Sequence, residues 1–325
     1  MIIIRTPFRI SFVGGSTDLK RFYKNHEGRV ISCSINKYIY IFINKKIDDR
    51  IKISYSKNEH VSDINLIKHS IFRESLKFFK INKGIEIASI SDMPTKGTGL
   101  GSSSAFTVGL VNGLLNYKNK LSNKKNVAEN ACKIEIDKCH FPIGKQDQYI
   151  SSYGGLKKII FKTTGEVNVK SIKINPNFKK KLFDSIILVD SGKNRLTNEV
   201  LSKLDQKIKL NKHILDKMKK LVDLTKFFEK EIINSDIESL GEIISESWNI
   251  KKNLDFNISN FRINEIIDEG IKIGAYGAKL LGAGAGGHVL FLAKKNTKIK
   301  IKKKFYKLST FDIKCDENGS ILINK

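Results

Sequence analysis

The sequence predicts a two-domain protein of α+β class. Three observations carry that expectation. The chain has 325 residues, enough for two domains and a sizeable core. Its first third breaks into short runs of β-branched and aromatic residues, whereas positions from about 198 to 273 keep helical periodicity. The C-terminal end then alternates between strand-like runs, a glycine loop and one helical stretch. A polar, Lys-rich stretch at 165–185 separates the parts, and the expected domains are 1–175 and 176–325.

Taken in order, Ile2–Ile4, Arg9–Val13, Tyr38–Ile43 and Ile51–Tyr55 read as strands. Leu66, Ile67, Ser70, Ile71 and Leu76 recur at helical spacing, which predicts a helix around Asn65 to Phe79. Gly84 to Ile90 reads as a strand, followed by a turn-rich loop and a helix from Ser102 to Leu115. Ser122 is the expected N-cap of a helix reaching His140. Leu156–Lys162 and Ser185–Val189 read as strands. The helical region breaks near Asn234–Ser235 and Phe256–Ser259. A strand at His288–Leu292, a helix near Ile299–Tyr306 and a strand near Ser309–Ile313 close the chain.

Composition excludes several classes. Hydrophobic residues make up 40% and charged residues 28%, an ordinary globular balance. Four prolines and 23 glycines argue against long disordered linkers. The net charge of +26 raises the question of a nucleic-acid or membrane partner. The lysines are spread along the whole chain, however, and no aromatic-basic binding stretch stands out, so neither partner is expected. The charge would still attract an anionic substrate. Gly97 to Tyr117 carries no charge, but its strongly apolar part, Ala105 to Leu115, has the length of a buried helix and not of a bilayer span. Cys33, Cys132, Cys139 and Cys315 show no C-x-x-C spacing and read as free thiols. The opening "MIIIRTPFRI" has no signal-peptide pattern, and the expected location is the cytoplasm.

Two glycine loops carry the chemistry. Gly282, Gly284 and Gly287 spell G-x-G-x-x-G, but they lead into "HVLFLA", a strand by composition. A dinucleotide fingerprint must open a helix, so that reading fails on context. A glycine loop between strands marks instead a place where backbone approaches something closely. The second loop, "MPTKGTGLGSSSAF" from Met93 to Phe106, runs from a strand into a helix. Its glycines leave backbone N–H groups free to face an anion, and the helix N-terminus adds positive potential. Ser102, Ser103 and Ser104 supply hydroxyls there. A phosphate-and-metal site and a plain serine N-cap both fit.

Two carboxylates shift the balance. Glu135 falls on the helix predicted from Ser122, and Asp147 follows in "FPIGKQDQY", after Pro142 and Gly144 redirect the chain. That pairing suits one metal ligand and one residue addressing a hydroxyl, the two needs of phosphoryl transfer.

With these residues in view, the sequence resembles the GHMP kinases, the family of galactokinase, homoserine kinase and mevalonate kinase. "TPFRISFVGGSTDL" (Thr6–Leu19), "PTKGTGLGSSSA" (Pro94–Ala105) and "KLLGAGAGGHVLFL" (Lys279–Leu292) are similar to the three family motifs, in order. The resemblance implies an N-terminal domain like ribosomal protein S5 domain 2 and a C-terminal ferredoxin-like α/β sandwich. It implies ATP as co-substrate and Mg²⁺ as cofactor. Gly97, Gly99, Gly101, Ser102, Ser103 and Ser104 then surround the ATP phosphates, and Ser103 with Glu135 ligates the metal. Asp147 matches the catalytic aspartate, with Arg9 beside it stabilising charge on the transferring group. Gly15, Ser16, Asp18, Gly284 and Gly286 match acceptor-side positions.

Galactokinase carries Gly-Glu-His-Thr-Asp in the first motif, where this chain has Gly14-Gly15-Ser16-Thr17-Asp18. Loss of that Glu weakens a galactose reading. The three stretches "RTPFRISFVGGSTD", "TGLGSSSAFTVGLVNGL" and "IGKQDQY" look most like the D-glycero-D-manno-heptose 7-phosphate kinases of the family. Those phosphorylate the anomeric C1 hydroxyl for nucleotide-activated heptose and surface polysaccharide. The expected partners are thus a small sugar phosphate and ATP. Whether the chain forms a homodimer stays open. A sugar phosphate needs basic contacts, and Lys145, Lys193 and Arg195 are the loop residues named for them. The rivals are a fucokinase- or galactokinase-type enzyme, a basic RNA-binding protein, and a kinase-like sensor without turnover.

Overall fold

The computed structural model describes residues 1–94, 97–192 and 197–325. The first half of the chain runs β1 (Ile2–Val13), α1 (Lys20–Tyr23), β2 (Gly28–Lys45), β3 (Ile51–Ser54), β4 (Asn58–Val61), α2 (Ser70–Phe78), β5 (Ile85–Ser91), α3 (Ser102–Tyr117), α4 (Lys124–Cys132), α5 (Gln146–Tyr153), β6 (Leu156–Phe161) and β7 (Val167–Ser171). The second runs α6 (Pro176–Asp184), β8 (Ile186–Asp190), α7 (Thr197–Leu210), α8 (Lys212–Asn234), α9 (Ile237–Lys252), α10 (Phe261–Lys272), β9 (Gly277–Leu280), β10 (His288–Leu292), α11 (Lys295–Lys304), β11 (Thr310–Phe311) and β12 (Ile321–Asn324).

Among the described residues, the strands form an eight-stranded and a four-stranded sheet. In the larger one, β2 is long enough to serve two partners. Its Gly28–Cys33 half pairs with β6, and Ile39–Lys45 pairs with β5. β1 runs antiparallel along Ile31–Ile43. The smaller sheet has the order β11-β8-β10-β9, all antiparallel. The chain's last strand, β12, crosses back to pair with β1 in the larger sheet.

Every residue from Thr6 to Val13 in β1 is buried, so the strand is covered on both faces. Helices α3, α5, α8 and α9 all pack against it. This is why polar side chains at Arg9 and Ser11 are buried yet reach a shared cavity. The uncharged stretch predicted to be a buried helix is α3. Its Gly109 and Gly113 let it lie against the sheet: a Cβ there would stand 2.9 Å from Thr6 Oγ1 and 2.7 Å from Ile43 Cδ1. Among the described residues, no helix is long and apolar enough to cross a membrane.

Several predicted boundaries move. The helix expected from Ser122 begins instead after Asn123, whose side chain accepts from Asn126 N at 2.8 Å; Ser122 Oγ donates to Asn112 Oδ1. That α-helix ends at Cys132, and Lys133–Lys138 continue as a π-helical segment. Asp147, expected in a loop, lies in the first turn of α5. The strand expected over Ser309–Ile313 shortens to Thr310–Phe311, and α11 starts earlier, at Lys295. A further break appears at Asn211, which caps α8 by accepting from His213 N. Asn caps both α4 and α8, and at α4 its side-chain oxygen does the work expected of Ser122.

Candidate active site

A cavity of about 750 Å³ lies where the two sheets' loops meet, lined by both glycine loops, the end of β1 and the start of α5. Gly97, Gly99 and Gly101 all adopt left-handed φ, at +71°, +72° and +75°. Gly101 is the N-cap of α3, and no side chain caps that helix. The plain serine-cap reading is therefore not what is seen. Thr98 Oγ1 and Ser102 Oγ are 2.7 Å apart, and Leu100 N donates to Thr98 Oγ1, which stiffens the loop. Arg9 ties the loop to β1: its N–H donates to Leu100 O and its Nη1 to Gly99 O at 2.5 Å. Left-handed glycines before an uncapped helix N-terminus present N–H groups and positive potential to an anion.

The C-terminal glycine loop approaches this first loop. A Cβ at Gly99 would lie 2.5 Å from Leu281 O, and one at Gly282 would lie 2.6 Å from Gly99 Cα. His288 N donates to Thr98 O at 3.1 Å. The close approach expected of G-x-G-x-x-G thus has an object, the other glycine loop. Gly284 and Gly286 line the cavity beside it. Gly99→Ala should therefore cost about 2–4 kcal/mol, adding a left-handed Ala to a backbone clash. Gly84→Ala is the control: its φ is +68°, but its nearest neighbour would be 3.7 Å away. It should cost about 1 kcal/mol. Thermal unfolding and the KM for ATP check the pair; ATP kinetics should suffer only in Gly99→Ala.

At the heart of the cavity Arg9 and Asp147 form a bidentate pair. Arg9 Nε donates to Oδ1 at 2.8 Å and Nη2 to Oδ2 at 2.6 Å. The Arg9 side chain is 5% exposed and that of Asp147 24%, so the carboxylate keeps an open edge toward the cavity. Gln146 also holds the aspartate, donating from Nε2 to Oδ1 at 3.0 Å. Its own Oε1 accepts from Ser11 and Ser32 hydroxyls at 2.8 and 2.9 Å. Nothing in the local sequence marks this positioning role for Gln146.

Glu135 is fully buried in the π-helical segment, a form that recurs at functional sites. Ser103 Oγ donates to its Oε1 at 2.8 Å, and Gln148 Nε2 to its Oε2 at 2.6 Å. Burial pushes its carboxyl up from the usual range, against the pull of hydrogen bonds from Ser103, Ser104 and Gln148. Asp18 is also raised by burial, opposed by the Gln146 N–H that donates to Oδ2 at 3.0 Å. Its carboxylate sits where a Cβ on Gly144 would be, 1.9 Å away. Gly15 and Ser16 line the cavity too, Ser16 at a left-handed φ of +80°.

Lys145 departs from expectation. Its ammonium donates to Gly165 O at 3.1 Å and sits over the Tyr23 ring, outside the cavity lining. Lys193 and Arg195 lie outside the described residues. Two lysines that the sequence reading passed over, Lys251 and Lys279, line the cavity instead. Tyr55, His69 and Phe106 form an aromatic cluster in the lining, with Tyr55–His69 and His69–Phe106 ring centroids 4.9 and 5.5 Å apart, and Ile71 and Phe141 line the cavity too. The aromatic residues among them come from separate segments with no shared motif, so nothing local in the sequence announces an aromatic wall.

The family model described as GHMP kinases N terminal domain matches residues 65–155, and GHMP kinases C terminal matches 228–308. The chain is 26% identical to a D-glycero-alpha-D-manno-heptose 7-phosphate kinase of Campylobacter jejuni, over 93% of this chain and 92% of that one. It is 24% identical to a galactokinase of Pyrococcus furiosus, over 91% and 90%. Its fold superposes on a D-glycero-D-manno-heptose 1-phosphate kinase from Bacteroides thetaiotaomicron with a TM-score of 0.81, at 18% identity, covering 100% and 99% of the two chains. The two matched models together span both glycine loops and both carboxylates, and on that ground the chain belongs to the GHMP kinases, a family of ATP-dependent phosphotransferases.

Proposed function

We propose that this sugar kinase transfers the ATP γ-phosphate to the anomeric C1 hydroxyl of D-glycero-D-manno-heptose 7-phosphate, giving the 1,7-bisphosphate for nucleotide-activated heptose. The observation that carries the reading is the bidentate Arg9–Asp147 pair in one cavity with the uncapped N-terminus of α3. The acceptor oxygen attacks the γ-phosphorus as the bond to the β-phosphate bridging oxygen breaks, and ADP leaves. Asp147 accepts or orients the hydroxyl proton, while Arg9 holds the carboxylate and faces the charge of the transferring group. Gly97, Gly99, Gly101, Ser102, Ser103 and Ser104 cradle the nucleotide phosphates. The aromatic end of the cavity suits a purine. Gly15, Ser16, Asp18, Gly284 and Gly286 form the acceptor side.

A magnesium ion fits this chain's donors. Among the described residues, no three His, Cys, Asp or Glu groups converge. Mg²⁺ does not need such a cluster, because it takes one or two carboxylates and completes its shell with water and substrate phosphates. Glu135, buried with its carboxyl pushed up, is the group a cation would relieve, and Ser103 stands 2.8 Å from it. Bound there, the metal would neutralise phosphate charge.

In this reading residues 1–175 form the ATP-binding domain and 176–325 the C-terminal domain, with β12 laid back on the first sheet. The enzyme works in the cytoplasm, where ATP is available and the four cysteines stay as free thiols. Similarity to the Campylobacter jejuni heptose 7-phosphate kinase supports the substrate, and a galactokinase-like or fucokinase-like acceptor is the second reading, supported by the galactokinase match. ADP release with Mg-ATP and heptose 7-phosphate, galactose, fucose or mevalonate tests the choice. The highest kcat/KM should belong to heptose 7-phosphate; a preference for a neutral sugar would reject it.

A further inference from the structure

Two buried cations in the cavity have no task in the reaction just described. Lys251 is 6% exposed and Lys279 2%, a depth at which lysine almost never occurs without an ionic partner. Lys251 ends the buried stripe of α9, after Ile244, Ser247 and Trp248. Lys279 lies in β9 between buried Ala278 and Leu280. The Lys251 ammonium donates to Gly282 O at 2.5 Å, and that of Lys279 to Phe12 O at 2.7 Å. Among the described residues, no carboxylate lies at ion-pair distance from either; Asp18 and Asp147 act on Lys251 only through longer-range attraction. An ammonium carries three donors, so each retains two beyond its carbonyl.

The surroundings of Lys251 say which ligand those donors await. A side chain on Gly15 would begin 3.6 Å from its Nζ, and Asp18 is the carboxylate whose charge affects it most. Both belong to the turn after β1, while the phosphate loop keeps Glu135 as its own charged partner. Arg9 is already neutralised by Asp147. On the acceptor side Lys251 is thus left as a buried ammonium with no direct ionic partner. A neutral sugar would leave that charge uncompensated; a phosphate monoester would satisfy it.

We infer that Lys251 binds the phosphate the acceptor already carries, with Lys279 buried behind it. The inference rests on the sugar-phosphate reading above. It replaces the outward-turned Lys145 as the specificity determinant. Burial lowers Lys251 to about 8, helped by Arg9 and opposed by Asp18 and Asp147, and Lys279 is pushed well down by burial, Lys251 and Arg9. The free enzyme therefore loses the Lys251 charge as pH rises through about 8. Since kcat/KM reports free-enzyme groups, that for a phosphorylated acceptor should fall above this pH.

The test compares kcat/KM for heptose 7-phosphate and for the same heptose without its phosphate, in the wild type, Lys251→Met and Lys251→Arg. In the wild type the phosphorylated sugar should be preferred. In Lys251→Met that preference should shrink by about 10- to 100-fold, the weight of hydrogen bonds to a charged group, through KM for the sugar phosphate and not KM for ATP. Lys251→Arg should restore part of it and carry the alkaline fall to higher pH, because arginine stays protonated. Lys251→Met should unfold at no lower temperature than the wild type. An unchanged preference, with both acceptors losing equally, would overturn the assignment while leaving the substrate reading intact. No preference in the wild type would sink both.

Discussion

Asp147→Asn should lower kcat by about 10²- to 10⁴-fold, the usual share of a positioned general base. Asparagine keeps the shape and one oxygen for Arg9, but it no longer takes a proton from the acceptor hydroxyl. It also leaves the Arg9 charge uncompensated in a place where that side chain is 5% exposed. Partial loss of this pair should cost about 1–3 kcal/mol of stability, less than for a fully buried pair because Asp147 is 24% exposed. ATP should bind as well as before, since the phosphate loop and the Ser103–Glu135 pair are untouched. Single-turnover phosphoryl transfer together with ATP titration checks this. A variant retaining full kcat would remove Asp147 from the chemistry.

Glu135→Gln should have effects of opposite sign on activity and stability. The carboxylate is fully buried, and burial raises its pKa. Between the unfolded and folded pKa values the native state holds more proton than the unfolded chain. Stability therefore falls as pH rises through that window, which opens near 4.5. Gln removes the charge and should flatten that slope. The free protein should gain on the order of 1 kcal/mol at neutral pH, a rise of about 2 °C in Tm. Meanwhile the KM for Mg-ATP should rise about tenfold or more and kcat should fall, because the carboxylate facing Ser103 is lost. Thermal unfolding across pH and Mg-ATP kinetics read both signs. A destabilised variant with unchanged Mg-ATP kinetics would mean that Glu135 serves only the fold.

These predictions use residues that the sequence exposed to very different degrees. Gly99, Gly101 and Ser103 were legible because an anion loop needs glycines before a helix start, and that demand is local. Asp147 was found by its place after Pro142 and Gly144, although it opens a helix and not a loop. Arg9 was found through motif resemblance; its pairing across 138 positions in sequence could not be read from spacing. Gln146 stayed hidden because its role depends on Ser11 and Ser32, brought to it by two strands. Lys251 and Lys279 were overlooked because lysine is the chain's default solvated residue. A signal existed: Lys251 lies three positions after Trp248 on a buried stripe, and Lys279 follows Ala278 inside an apolar strand. The aromatic wall had no signal, since Tyr55, His69 and Phe106 meet only in the fold.

The central claim is that this cleft esterifies an anomeric sugar oxygen with the phosphate of ATP. Phosphorus NMR of a reaction with Mg-ATP and heptose 7-phosphate tests it most directly. A new monoester resonance coupled to the anomeric proton should grow in step with ADP, and it should be absent with Asp147→Asn on the same timescale. ADP accompanied only by inorganic phosphate, or a phosphorus coupled to a proton elsewhere on the ring, would contradict the account.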